Sequence, residues 1–217
     1  MDIKYFGHAS FFIRSKEAKL VTDPYNSSMI GIKFPKTEGD IVTVSHHHKD
    51  HDDVSQIIAD PLVIDMPGEF EKKGVRISGF LSYHDKQKGA ERGENVLYKI
   101  EADDISILHC GDLGLVPDDS FIEGIGDVDV LMVPTGGFYT IDSAEAAELV
   151  KKIEPSIVIP MHYNDPKLNQ DVVGKLTPVQ DFMHKMGIET FQAAPKLTLK
   201  KEDLEEEMKV VVMERST

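Results

Sequence analysis

Ile41-Val42-Thr43-Val44-Ser45-His46-His47-His48-Lys49-Asp50-His51 is the stretch on which the fold turns. Its first four residues are apolar or β-branched and read as a short buried strand; Val54, Ile57 and Ile58 beyond it have helical spacing and predict a short helix. The polar cluster therefore stands where a strand ends. An extended backbone sends residues two apart to the same side, which brings His46 and His48 to one metal ion and leaves His47 pointing away. The turn that follows offers Asp50 and His51 to a second ion beside the first. Imidazoles and a carboxylate suit a borderline divalent cation such as zinc. A solvated histidine run is the bland alternative, but such a run neither terminates an apolar strand nor continues into Asp-His.

Outward from this motif the chain resembles the metallo-β-lactamase superfamily of metal-dependent hydrolases. The likeness includes Tyr5-Phe6-Gly7-His8-Ala9-Ser10, Thr22-Asp23-Pro24, Tyr83-His84-Asp85, Gly111-Asp112, Val133-Pro134-Thr135-Gly136-Gly137 and Pro160-Met161-His162-Tyr163-Asn164, in the family's order. The opening is similar to a small cytoplasmic branch that includes L-ascorbate-6-phosphate lactonase-like proteins. The resemblance runs from the N-terminus to about Leu199. It implies an α/β fold in the form of a four-layer αββα sandwich, with residues 1–199 as the hydrolase domain and 200–217 as an acidic C-terminal extension ending in a strand.

It also implies a dinuclear site. His46, His48 and His84 hold the first metal, Asp50, His51 and His162 the second, and Asp112 bridges both. Each residue outside the motif follows an apolar strand: His84 after Ile77 to Leu81, Asp112 after Ile105 to Leu108, His162 after Ile157 to Ile159. Two cations about 3.5 to 4 Å apart repel, so a carboxylate shared between them balances charge; the pair in turn lowers the pKa of a bridging water, making hydroxide available for attack. Asp50 and Asp112 are the catalytic carboxylates on this reading. Substrate contacts are expected from His8, from the Thr135-Gly136-Gly137 loop through its backbone N–H groups, and from Tyr163 and Asn164. For His8 a hydrogen-bonded structural role stands as an equal alternative, and for the paired glycines a plain turn.

Composition narrows the function. The 217 residues suffice for one well-buried domain. One cysteine, Cys110, excludes an intramolecular disulfide and a multi-thiolate zinc site, and its apolar setting marks it as a core residue. A net charge of −14 gives a polyanion no basic track, so extended nucleic acid is not expected as a partner. No apolar run approaches a membrane span and the N-terminus lacks signal-peptide character, so a cytoplasmic protein is expected. The leading function is hydrolysis of a small, anionic ester, lactone or phosphoester with two divalent ions, zinc first and manganese or iron next. A nuclease or phosphodiesterase of the same superfamily, and a non-catalytic metal-binding protein, are the alternatives. Oligomeric state is open, a homo-oligomer included.

The remaining elements follow from pattern. Strands are expected at 3–6, 10–14, 19–22, 41–45, 62–64, 75–83, 96–100, 105–109, 128–133, 157–159, 188–191, 197–199 and 210–213. Helices are expected at 54–59, 118–123 and 177–186, and after Asp142, whose carboxylate caps a first turn that Glu145 closes from the other side.

Overall fold

A computed structural model describes residues 1–204 and 207–216. Strands β1 (Asp2–Gly7), β2 (Ser10–Arg14), β3 (Lys19–Thr22), β5 (Ile41–Thr43), β7 (Leu62–Ile64) and β14 (Leu197–Thr198) form one sheet in the order β14-β1-β2-β3-β5-β7. A second sheet runs β15-β13-β12-β11-β10-β9-β8, from β8 (Gly68–Lys72), β9 (Val75–Tyr83), β10 (Glu94–Ala102), β11 (Ile105–His109), β12 (Val130–Pro134), β13 (Ile157–Met161) and β15 (Lys209–Val210). A two-residue ladder of β4 (Thr37–Glu38) and β6 (Ile57–Ile58) stands apart.

The period of two along the strands sorts the layers. Leu20 and Ile41 enter the core between the sheets, while their neighbours Val21 and Val42 face outward into a second cluster with Tyr25, Ile30, Phe34 and Val173. Short helices α1 (Ser27–Ile30) and α4 (Gln170–Val173) contribute to that outer cover. On the far side α2 (Asp119–Ile125), α3 (Ser143–Ile153) and α5 (Val179–Lys185) shield the seven-stranded sheet, with α3 against β12 and α5 against β13. These are the four layers expected of the metallo-β-lactamase fold. The cap on α3 is as expected: Asp142 accepts from the N–H groups of Ala144 and Glu145, and Glu145 reaches back.

Strand direction gathers the site. β9 and β11 are both antiparallel to β10, and β11, β12 and β13 are mutually parallel, so all four end on one edge. β1, β3 and β5 end on the matching edge of the other sheet.

Two expectations fail. The segment after the motif is a 3-10 turn, Val54–Gln56, followed by strand β6, because Ile57 and Ile58 find a ladder partner in β4 and the run is too short to propagate a helix. Residues 188–191 form no strand; Ile188 and Phe191 pack on the core without a backbone ladder. The expected C-terminal strand is present, at Lys209–Val210. β15 pairs in parallel with β13, Met213 bridges to Ala194 and Arg215 to Tyr5, so the end of the chain completes the second sheet and clasps the first.

Candidate metal centre

Asp112 is the hub of a buried histidine cluster. Its Oδ2 lies 3.2 Å from Nε2 of His84 and 3.2 Å from Nε2 of His162, and 3.9 Å from Nε2 of His46; Oδ1 is 3.4 Å from Nε2 of His51. His46, His48 and His84 form one group whose donor atoms are mutually within 4.8 Å, and Asp50, His51, His162 and His8 form a second. All seven expected ligands thus converge.

The fit to a cation can be tested on hydrogen bonding. Nε2 of His46, Nε2 of His51 and Oδ1 of Asp112 are buried without any hydrogen-bond partner, and the three belong to one donor cluster. Buried lone pairs of this kind are costly unless something is bound to them. A divalent metal is what His and Asp donors at these spacings satisfy. Charge points the same way. Burial pushes the Asp112 carboxyl up, but His162, His51 and His84 outweigh it and hold it well below the usual carboxylate range. Burial and the neighbouring His51 push His46 well down, which leaves its imidazole neutral and able to donate a lone pair. For His51, burial is outweighed by Asp112 and Asp50, whose charge favours a cation at that ring.

Asp23 aims the rings. Its Oδ2 accepts from Nδ1 of His51 at 2.9 Å and from Oγ of Ser45 at 2.6 Å, and its Oδ1 accepts from the Ser45 N–H at 2.8 Å. Ser45 Oγ, its proton so committed, accepts from Nδ1 of His46 at 2.9 Å. One buried carboxylate therefore turns Nε2 of both histidines toward the donor cluster around Asp112. Asn95 does the same for the backbone under Asp112: Oδ1 accepts the Asp112 N–H and Nδ2 donates to the Cys110 carbonyl. Gly111 makes this clamp possible, since at φ 53° a side chain there would collide with Asn95 and Ser45. Cys110 is fully buried core.

The expected substrate contacts are placed otherwise. His8 is 1% exposed and donates from Nε2 to Asp50 at 3.1 Å, while its carbonyl accepts the His162 N–H and the Tyr5 hydroxyl. Burial and His162 pull its imidazole down to about 4 against the pull of Asp50. Its side chain and carbonyl thus tie the Asp50 carboxylate to the His162 turn. Thr135, Gly136 and Gly137 lie behind His162: Thr135 N–H donates to Met161, Gly136 accepts from Thr177, and a Cβ on Gly136 would overlap the His162 carbonyl. Tyr163 packs toward Tyr5, with ring centroids 6.4 Å apart, and Asn164 is engaged through its backbone with Thr177. None of these five lines the cleft. The residues that do, beside the ligands, are Met29, Lys49, Arg92, Tyr139, Asp171 and Val172, around a volume of about 370 Å³. Arg92 and Tyr139 carry no metal-ligand signature and sit in loops, so spacing had no means of finding them. A larger hollow of about 790 Å³ near Glu101, Asp103 and Asp129 lies at the other end of β11 and contains none of the ligands.

Comparison with known proteins agrees with this geometry. Residues 2–162 match the β-lactamase superfamily domain. The chain belongs to the metallo-β-lactamase superfamily. It is 30% identical to a "UPF0173 metal-dependent hydrolase" of Pyrobaculum islandicum over 201 residues, 79% of this chain and 88% of the other. A relative of the same name from Staphylothermus marinus is 31% identical, with 87% of this chain and 97% of that one covered. A crystal structure of a superfamily protein from Thermotoga maritima superposes with a TM-score of 0.80 at 34% identity, spanning 98% of this chain and 97% of that one. Among the described residues, no helix is long and apolar enough to cross a membrane.

Proposed function

We propose that this chain is a metal-dependent hydrolase that acts on a small anionic ester, lactone or phosphoester with two divalent ions, zinc first among them. The observation that carries the reading is the position of Asp112, which stands between two groups of donors with Oδ2 toward His84 and His162 and Oδ1 toward His51. His46, His48 and His84 would hold one ion, Asp50, His51 and His162 the other, and Asp112 both. Bound there, such a pair activates a water and polarises the oxygen of the bond under attack.

The chain's own residues do the rest. Asp50 lines the cleft and is anchored by His8, which places a carboxylate where it can take the proton of the attacking water and pass it to the leaving alcohol. Met29, Val172 and Tyr139 give the cleft apolar walls, and Lys49 and Arg92 give it positive charge in a protein of net charge −14. A volume of about 370 Å³ suits a compact molecule.

Elemental analysis of protein purified without chelators is expected to show more than one equivalent of zinc, manganese or iron per chain. The loaded protein is then offered lactones, carboxylic esters, thioesters, phosphomonoesters and phosphodiesters in oxygen-18 water. Turnover of one small class with label in the product supports the reading. Protein that binds no metal after reconstitution, or that turns over only RNA or DNA, overturns it.

A further inference from the structure

We infer that Arg92, laid on Tyr139, is the anion subsite of the cleft, and that the substrate carries a carboxylate or phosphate monoester group remote from the bond that is cleaved. The guanidinium carbon of Arg92 lies 4.7 Å from the centroid of the Tyr139 ring, and both residues line the cleft that contains His48, Asp50, His84, Asp112 and His162. A cation–π contact of this kind uses no N–H hydrogen bond of the guanidinium, so its fork of donors remains available to a carboxylate or phosphate. Among the described residues that fork has no ion pair and no hydrogen bond. This is telling in so acidic a chain, where Arg14 pairs with Asp2, Arg76 with Glu101 and Lys86 with Glu145. Asp171, the acidic side chain on the cleft wall that is not a metal-ligand candidate, does not pair with Arg92 either.

The loop that carries Arg92 is built to hold it. Residues 85–93 contain little to bury, yet the buried carboxylate of Asp85 accepts four backbone N–H groups from within them: Gln87 at 2.7 Å and Gly89 at 2.9 Å on Oδ1, Glu91 at 2.9 Å and Arg92 at 2.7 Å on Oδ2. Gly114 lets this loop lie flush on the Asp112 turn, since a Cβ there would overlap the Asp85 backbone. The Arg92 backbone is thus tied, through Asp85, to the residue next to His84. Tyr139 is fixed in turn by edge-on contact with Phe138, centroids 4.6 Å apart, and by packing on the outer cluster. A pre-set guanidinium of this kind selects by planar, paired hydrogen bonding, which a lysine cannot reproduce.

The kinetic arm of the test rests on the hydrolase reading; the binding arm does not. Protein with its bound metal is titrated calorimetrically with succinate and with phenyl phosphate, as wild type, Arg92→Gln and Arg92→Lys. Loss of one charge-assisted pair predicts a Kd about 10- to 100-fold weaker for Arg92→Gln with at least one probe, and Arg92→Lys between the two. In parallel, 4-nitrophenyl acetate is compared with the 4-nitrophenyl monoester of succinic acid. The wild-type preference in kcat/KM for the charged ester is expected to fall by a similar factor in Arg92→Gln, through KM. If neither ester is cleaved but Arg92→Gln weakens probe binding, the hydrolase reading suffers and the subsite stands. Probe binding that is absent in wild type, or equal in wild type and Arg92→Gln, overturns the subsite even where both esters are cleaved.

Discussion

Asp23 and His51 face each other at 2.9 Å with both side chains fully buried, on the side of the imidazole turned away from Asp112. The hydrogen bond obliges Nδ1 to carry a proton, so it is Nε2 that faces the donor cluster and would present its lone pair to a metal held there. Asp23 itself sits at φ 39°, a backbone region that Asn tolerates nearly as well as Asp. Asp23→Asn is therefore expected to fold, because size and backbone preference are kept, while its NH2 group must face either the Ser45 N–H or the pair of donors Ser45 Oγ and His51 Nδ1, which the carboxylate accepts on its two oxygens. Metal affinity measured by chelator competition should fall about 10- to 100-fold. An unchanged affinity would show that His51 is oriented by packing alone.

Asp112→Asn tests the hub. On the two-ion reading proposed above, removing the negative charge would leave the two cations without a shared counter-charge. Protein carrying this change should retain at most one metal equivalent and lose most of its turnover, while the far-ultraviolet circular dichroism stays that of wild type. Two retained equivalents with wild-type turnover would place the bridging charge elsewhere.

The convergence of the candidate ligands was legible because each belongs to a pattern with a physical cause: His46 and His48 alternate just past the end of β5, and His84, Asp112 and His162 each follow an apolar strand whose direction sends it to one edge. The residues that aim them were not. Asp23, Ser45 and Asn95 act by hydrogen bonds between segments far apart in sequence, which no local period records. Tyr163 and Asn164 were expected on the cleft because they adjoin His162 in sequence, and Thr135, Gly136 and Gly137 because their loop matches the family; His162 turns at φ 51° and the five lie behind it. The helix expected at 54–59 failed for a similar reason, since the spacing of Val54, Ile57 and Ile58 fits a helix and the partner strand β4 that overrides it pairs across a separation of 20 residues.

Gly136 offers a test of the rear wall. Its missing side chain is what allows β12's exit to pass against the His162 carbonyl. Gly136→Ala must move one or the other, and overpacking of this kind costs about 1–3 kcal/mol. Urea unfolding of the metal-free protein should report that loss, and metal retention should fall with it because His162 is displaced. A variant as stable as wild type would mean that the loop relaxes freely and does not brace the ligand.

Asp129 links the tail to the sheet and lends itself to a pH test away from the ligands. Its Oδ2 accepts the Ser106 N–H at 2.8 Å, and its Oδ1 accepts from Nζ of Lys201 at 2.8 Å. Burial pushes this carboxyl up, but Lys201 and Ser106 outweigh it and hold it below the ordinary aspartate value. A folded-state pKa below the unfolded one, which is about 4, gives stability that is fully present above that unfolded value and is lost as the pH falls through the folded one. Asp129→Asn lacks this term at every pH. Its deficit relative to wild type, read by urea unfolding in the presence of chelator, should therefore be constant from about pH 7 down to about pH 5 and shrink below about pH 4. A deficit that stays the same down to about pH 2 would assign the loss to packing, and the charge of Asp129 would have no part in fastening Lys201 and the strand β15 that follows it.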